Sequence, residues 1–267
     1  MSFSLLLVAC TSGSRGPEDS SASSSGPVDT GTPTACGQTH PWVIEDAEDV
    51  GIAEWAGTSP WPQVVLYDGY VYELALLSGE PDPCIQVTVE GDVITVTGLC
   101  TTAGGVEISG TVVFTGSSDA GEASSTYEDL HFWNPGRGAG YDIDGGWTWS
   151  LDEAEVAHYA TDLTATLLTS AGVWQEGTWR STSALSSNGA MSEVGYVDIT
   201  AQETSGATGD YCYTRETTVS DGCSAEHQGV ATVTGTATGT LTWDGESDCD
   251  DCGDVAIDGR PIGQYCE

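Results

Sequence analysis

The sequence predicts an all-β fold: a large curved antiparallel sheet, or an open barrel or sandwich, built from hairpin meanders, stapled by disulfides and with little helix. Three observations predict it. Apolar and polar residues alternate with period two through most of the chain beyond Cys36. The alternating runs are bounded by Gly, Asp, Asn and Ser, the residues that turns demand. Eight cysteines lie from Cys36 onward, in a chain of 267 residues with 39% hydrophobic and 8% aromatic content, which is ample material for one core and argues against a disordered acidic tail.

The alternation is clearest in two places. In Tyr141–Leu151, one face collects Tyr141, Ile143, Trp147, Trp149 and Leu151, and the other is Asp, Gly, Thr and Ser. In Ala231–Trp243, Thr232, Thr234, Thr236, Thr238, Thr240 and Thr242 share one face, opposite Ala231, Val233, Leu241 and Trp243. Read as one strand, that segment would run roughly 40 Å at about 3.3 Å per residue. Further strands are expected over Val64–Leu77, Cys84–Val89, Asp92–Leu99, Gly105–Thr115, Asp162–Thr169, Val173–Thr182 and Met191–Thr200. Glu90-Gly91-Asp92, Ala103-Gly104-Gly105 and Ser170-Ala171-Gly172 supply hairpin turns. Strands this close in sequence must be antiparallel neighbours, because a parallel crossover needs a dozen or more residues. The one helix expected starts at the capping-box pattern Ser150-Leu151-Asp152-Glu153 and covers Ala154–Tyr159. The polar stretch Gly116–Ser125 reads as a long loop inside a single domain spanning 36–267.

The charge excludes whole classes of partner. With 41 acidic and 5 basic side chains the net charge is −36, and none of the basic residues is lysine. Nucleic-acid binding and a polybasic grip on anionic lipid both rest on Lys and Arg, so neither is expected.

The amino terminus suggests the compartment. Residues 1–9 form a short apolar run ending at Ala9, ahead of Cys10. From Thr11 to Ala35 the chain is mostly Ser, Gly, Pro and Thr, a composition that gives a flexible tether with a span of about 25 to 30 Å. Leu7-Val8-Ala9-Cys10 resembles the lipobox of bacterial lipoproteins. The resemblance implies cleavage before Cys10, lipidation of Cys10, and a disordered tether over 10–35. Thr11, where an Asp would imply retention at the inner membrane, implies an outer-membrane address. No later stretch has the roughly 20 apolar residues that a spanning helix needs. The expected partner is therefore the membrane, through the lipid, with an envelope protein or polysaccharide as the possible second partner.

Setting Cys10 aside leaves Cys36, Cys84, Cys100, Cys212, Cys223, Cys249, Cys252 and Cys266, an even number that can all pair in an oxidising compartment. Cys84 and Cys100 flank the Gly91 turn and form the natural cross-strand pair. Cys212 and Cys223 form a second such pair, and the pairing of the other four stays open, a link from Cys36 to the carboxyl-terminal cluster included. Cys249-Asp250-Asp251-Cys252 has the C-x-x-C spacing of zinc and redox sites. No second ligand pair lies nearby, and the surrounding carboxylates would raise a thiol pKa, so the spacing reads as structural.

Two places suggest binding. Asp244, Glu246, Asp248, Asp250, Asp251 and Asp254 crowd eleven residues with the oxygen ligands that Ca²⁺ takes, although the EF-hand template fails at Cys249 and Val255. His131, Trp133 and Arg137 precede and enter a Pro/Gly turn and suggest a sugar-stacking surface. A secreted hydrolase is the weakest alternative, since the chain has no G-x-S-x-G, no H-E-x-x-H and no phosphate-binding loop. The expectation is therefore a non-enzymatic, lipid-anchored envelope protein, with a carbohydrate- or Ca²⁺-binding β module as the alternative.

Overall fold

One helix and thirteen strands follow one another along the described part of the chain. The computed structural model describes residues 36, 39–58, 85–101, 105–117, 121–203, 206–219, 227–245 and 252–266, within one compact unit, Thr32–Glu267. The helix is α1, Ala47–Thr58. The strands are β1 (Ile85–Glu90), β2 (Val93–Thr101), β3 (Glu107–Ser117), β4 (Glu122–Asn134), β5 (Ala139–Leu151), β6 (Ala157–Thr169), β7 (Gly172–Leu185), β8 (Ala190–Gln202), β9 (Gly209–Val219), β10 (His227–Thr234), β11 (Thr238–Asp244), β12 (Cys252–Ile257) and β13 (Arg260–Cys266).

The topology is the simplest a sheet allows. Each strand pairs antiparallel with its neighbours in sequence, in the order β1 through β13, and among the described residues β1 and β13 are separate edges, so these strands do not close into a barrel. Tight turns enforce it: Gly91, with φ 62°, closes β1–β2 between Glu90 and Val93, and Asp258-Gly259, with φ 48° and 75°, closes β12–β13. Strands β4 to β8 run 13 or 14 residues each, well beyond the usual five or six.

Three segments differ from the sequence reading. Ala231–Trp243 is not one long strand but the β10–β11 hairpin, with Thr232 opposite Thr240 and Thr234 opposite Thr238. Directly opposed residues in an antiparallel pair share a face, so the threonines stay together on one side after the chain folds back. The expected helix at Ala154–Tyr159 is a turn leading into β6. There the Asp152 carboxylate accepts the backbone N–H of Ala154 and Val156 at 2.8 and 2.9 Å, and Glu155 takes a φ of 60°. An aspartate that bonds the backbone this way competes with helix formation. The expected loop Gly116–Ser125 is instead largely strand, with the end of β3 and the start of β4 paired through Gly116 and Ala123.

The helix lies elsewhere, and its start is locally encoded. Asp46 accepts the N–H of Asp49 at 3.1 Å, while the Asp49 carboxylate accepts the N–H of Asp46 and Glu45 at 3.1 and 2.8 Å. This is a reciprocal cap built from two aspartates. Glu48 and Asp49 also place negative charge in the first turn, where the helix dipole favours it.

α1 packs onto the inner face of β8–β13. Close approach depends on missing side chains. A β-carbon at Gly239 would collide with Val50, and one at Gly51 would collide with the Tyr265 ring. Trp179 and Tyr211 donate from the sheet to the helix carbonyls of Ala56 and Ala53, at 2.8 and 2.7 Å. Ala56 lies in the last turn, where helix carbonyls lack internal partners. The buried apolar residues form one cluster running from Val96 and Ile108 through Leu130, Ile143, Leu163 and Val197 to Leu241 and Val255, with Val50, Ala53 and Ala56 of the helix among them.

Two disulfides join described residues. Cys252 and Cys266 are directly paired positions of β12 and β13 and close that hairpin. Cys36 is joined to Cys212 of β9 across 176 residues, which corrects the expected Cys212–Cys223 pair. Sequence proximity suggested the shorter loop, but β9 carries Cys212 beside the incoming chain at His40–Trp42. Cys100 is also disulfide-bonded, while Cys84, Cys223 and Cys249 lie outside the described residues, as do Val64–Leu77 and the turn at Ala103-Gly104. Cys252 is taken up by Cys266, so the C-x-x-C spacing does not mark a redox pair.

Candidate functional site

The inner face carries polar side chains at positions that alternation would otherwise fill with apolar ones. Cross-strand pairing sets Tyr159, Ser183, Glu193, Arg215 and Ala231 in one line across β6–β10. The next line holds Thr161, Ser181, Gly195, Tyr213 and Val233. Tyr213, Arg215 and Glu54 of α1 come together here. Arg215 Nη1 forms an ion pair with Glu54 Oε1 at 3.0 Å, with the two side chains only 11% and 5% exposed. The guanidinium also sits 5.4 Å from the centroid of the Trp243 ring, a cation–π distance.

A second carboxylate adjoins the same arginine. Glu193 is directly opposite Arg215, and the Tyr213 hydroxyl donates to its Oε1 at 2.7 Å. Burial raises the Glu193 carboxyl above the usual carboxylate range, against the opposing pull of the Tyr213 hydroxyl, the Arg215 charge and Ser181. Burial likewise pushes Tyr213 well above 10, with the Glu193 charge adding to it, and Tyr211 well above 10, with the Glu54 charge adding to it. Both phenols therefore stay protonated and act as donors. The network sets one buried guanidinium against two carboxylates and so ties α1 to β9, with Glu193 of β8 alongside.

A different kind of site lies at the end of the inner face formed by the β4–β5 and β6–β7 turns. A hollow of about 240 Å³ opens there, lined by Phe132, Tyr141, Leu167, Leu168, Trp174 and the exposed turn residue Arg137 among others. The rings of Phe132 and Tyr141 stack at 5.1 Å, 18° from parallel. Trp174 meets Trp55 of α1 edge-on at 5.2 Å. The turn is set by Asn134, whose Oδ1 accepts the N–H of Gly136 and Arg137 at 3.0 and 3.2 Å. An open hollow of about 430 Å³ at the other end of the strands is lined by Met191, Glu216, Thr217 and Gln228.

The three residues expected to form a sugar-stacking surface are divided. His131 and Trp133 alternate with Phe132 on β4 and so belong to the outer face, whereas Arg137 joins Phe132 at the hollow. His131 Nδ1 is 2.5 Å from Asp142 Oδ1 on β5, and Trp133 lies over Gly140, the residue opposite it. Of the acidic cluster, Asp244 is exposed at the end of β11 and Asp254 on β12 accepts Gln264 Nε2 at 3.2 Å. Glu246, Asp248, Asp250 and Asp251 lie outside the described residues, and among the described residues no group of three His, Cys, Asp or Glu could hold a metal ion.

Sequence reasoning missed Glu54, Glu193, Tyr211, Tyr213 and Arg215. One signal was available: Tyr211, Tyr213 and Arg215 are in phase, so one of only five basic residues shares the inward face of an aromatic strand. No family model, curated protein or solved structure matches the chain.

Arg215→Met is expected to destabilise the fold by about 3 to 5 kcal/mol at neutral pH, because the buried Glu54 carboxylate loses the guanidinium 3.0 Å away. Arg180→Ala, which breaks the exposed 3.0 Å pair with Asp162, should cost under about 1 kcal/mol. Denaturant midpoints at neutral pH check both, and equal losses from the two variants would refute the buried pair's role. Glu193 titrates above its unfolded value, so between the ordinary and the raised pKa the folded chain binds more protons, and this group's contribution to stability falls as pH rises. Glu193→Gln should therefore gain on the parent protein from pH 4 to pH 7; a stability difference constant over that range would contradict the raised pKa.

Proposed function

We propose that the protein is a lipid-anchored protein of the bacterial outer membrane that acts by binding or scaffolding and not by catalysis. The observation that carries this reading is the Cys36–Cys212 disulfide. The stretch from Thr11 to Ala35, rich in Ser, Gly, Pro and Thr, runs straight from the lipobox-like Leu7-Val8-Ala9-Cys10 into Cys36. A pull on the tether would reach the fold at a covalent bond to β9. The disulfides support an oxidising, extracytoplasmic setting. The charge of −36 supports a domain kept soluble and away from phosphate-rich surfaces.

The binding reading also agrees with how the charged groups of the inner face are used. Arg215 is committed to Glu54, and Glu193 to Tyr213, so they hold the helix in place and do not meet in an open cleft. More than one acyl chain on Cys10 would make anchoring stable without any basic patch.

Cys10→Ser is expected to abolish fatty-acid labelling and to shift the protein from the membrane fraction to the soluble fraction while leaving its folded domain intact by circular dichroism. Retention of the unlabelled variant in the membrane fraction would refute the anchoring reading.

A further inference from the structure

We propose that the hollow between the β4–β5 and β6–β7 turns is a binding site for a small aromatic carboxylate. Its size limits the ligand. About 240 Å³ is below the usual 300–1,000 Å³ of sites for drug-sized molecules, so a one-ring ligand fits the space. Its walls decide the ligand's body. Phe132, Tyr141 and Trp174 supply aromatic surface, and Leu167 and Leu168 supply aliphatic surface. The stacked pair and the Trp174–Trp55 contact hold these rings in fixed orientations, so a planar guest meets preformed walls.

Its single charge decides the ligand's head. Among the described residues Arg180 pairs with Asp162 and Arg215 with Glu54, whereas Arg137 and Arg260 pair with no carboxylate, and of these two Arg137 borders the hollow. In a chain with 41 acidic residues, an arginine left unpaired at the rim of an aromatic hollow is the group best placed to take a ligand anion. Guanidinium binds carboxylate with two parallel hydrogen bonds. The Arg137 backbone N–H is held by Asn134, which fixes where the side chain begins.

Saccharides suit this hollow poorly. The Asn134 amide oxygen is engaged by its own turn, and the Thr169 hydroxyl donates to Gly172 O and accepts from Ala171 N, each at 3.3 Å. A sugar would bring several hydroxyls to a mostly apolar lining and leave them short of partners. A polyanion would meet the net charge of −36, a penalty that a monoanion feels least.

The test is calorimetric titration of the folded, disulfide-intact protein with benzoate, its neutral analogue benzamide, and methyl glucoside. Saturable binding of one benzoate is expected, with benzamide at least tenfold weaker and no saturable glucoside heat. Arg137→Ala should weaken benzoate tenfold or more and leave benzamide unchanged, while Trp174→Ala should weaken both. Arg137 is exposed in a turn, so its variant should keep the parent's circular dichroism. No saturable benzoate binding, benzoate binding indifferent to Arg137→Ala, or a preference for the glucoside would each overturn the proposal. None of these outcomes bears on membrane anchoring, which Cys10 decides separately.

Discussion

The fold depends on how the chain enters it. Cys36 is bonded to Cys212 of β9, and the next residues are stitched to the start of the same strand. His40 and Trp42 exchange backbone hydrogen bonds with Asp210 at 2.7 and 3.0 Å, and the Asp210 carboxylate accepts the His40 N–H at 2.9 Å. Trp42 then reaches the β10–β11 turn, where its carbonyl accepts the N–H of Thr236 at 2.9 Å, and Ile44 N–H is accepted by the Thr236 hydroxyl at 3.0 Å. The Trp42 ring is fully buried, edge-on to Tyr211 at 5.5 Å, and its indole N–H donates to Asp49 O in the first turn of α1. One short segment thus fixes β9, the β10–β11 turn and the start of the helix. Taken alone, a cross-link over this separation is worth about 5 kcal/mol in the chain-entropy account.

That constraint explains why an open meander can be stable. A sheet made only of neighbour pairings has two edges and no long-range closure of its own. The helix supplies long-range contacts over β8–β13, and the Cys36–Cys212 bond holds the chain that delivers it. The last strand is also a poor template for further pairing, since Pro261 and the bulge at Ile262, which is skipped between the pairs Val255–Gly263 and Ala256–Pro261, interrupt its edge. Charge is arranged to match. Carboxylates such as Asp142, Asp162, Glu216 and Asp254 lie outside or at the rims, while Glu54 and Glu193 are set against Arg215 and Tyr213 within.

Much of this was legible in the sequence, and the exceptions have physical causes. The class, the turns at Gly91 and Ser170-Ala171, and the faces of Tyr141–Leu151 follow from period two and turn chemistry. The β10–β11 hairpin was hidden because Thr and small apolar residues alternate symmetrically about Thr236, so the pattern is the same for one strand or for two folded together. The helix was hidden because Gly51 and Gly57 depress its propensity and because it is buried on more than one side, which erases the amphipathic stripe. Its cap uses Asp at the position where Glu or Gln is the recognisable signal, whereas Ser150–Glu153 carries the signal but ends β5 and opens a turn at Asp152. Of the candidate ligand residues, Arg137 remains at a cavity, while His131 and Trp133 belong to the other face by strand alternation that a three-residue motif does not express.

The most direct test of this account is a peptide map of the native, unreduced protein by mass spectrometry. A cross-linked peptide joining Cys36 to Cys212 is expected, alongside one joining Cys252 to Cys266. A map in which Cys212 is joined to Cys223, leaving Cys36 elsewhere, would contradict the way the chain enters the sheet and with it the placement of α1.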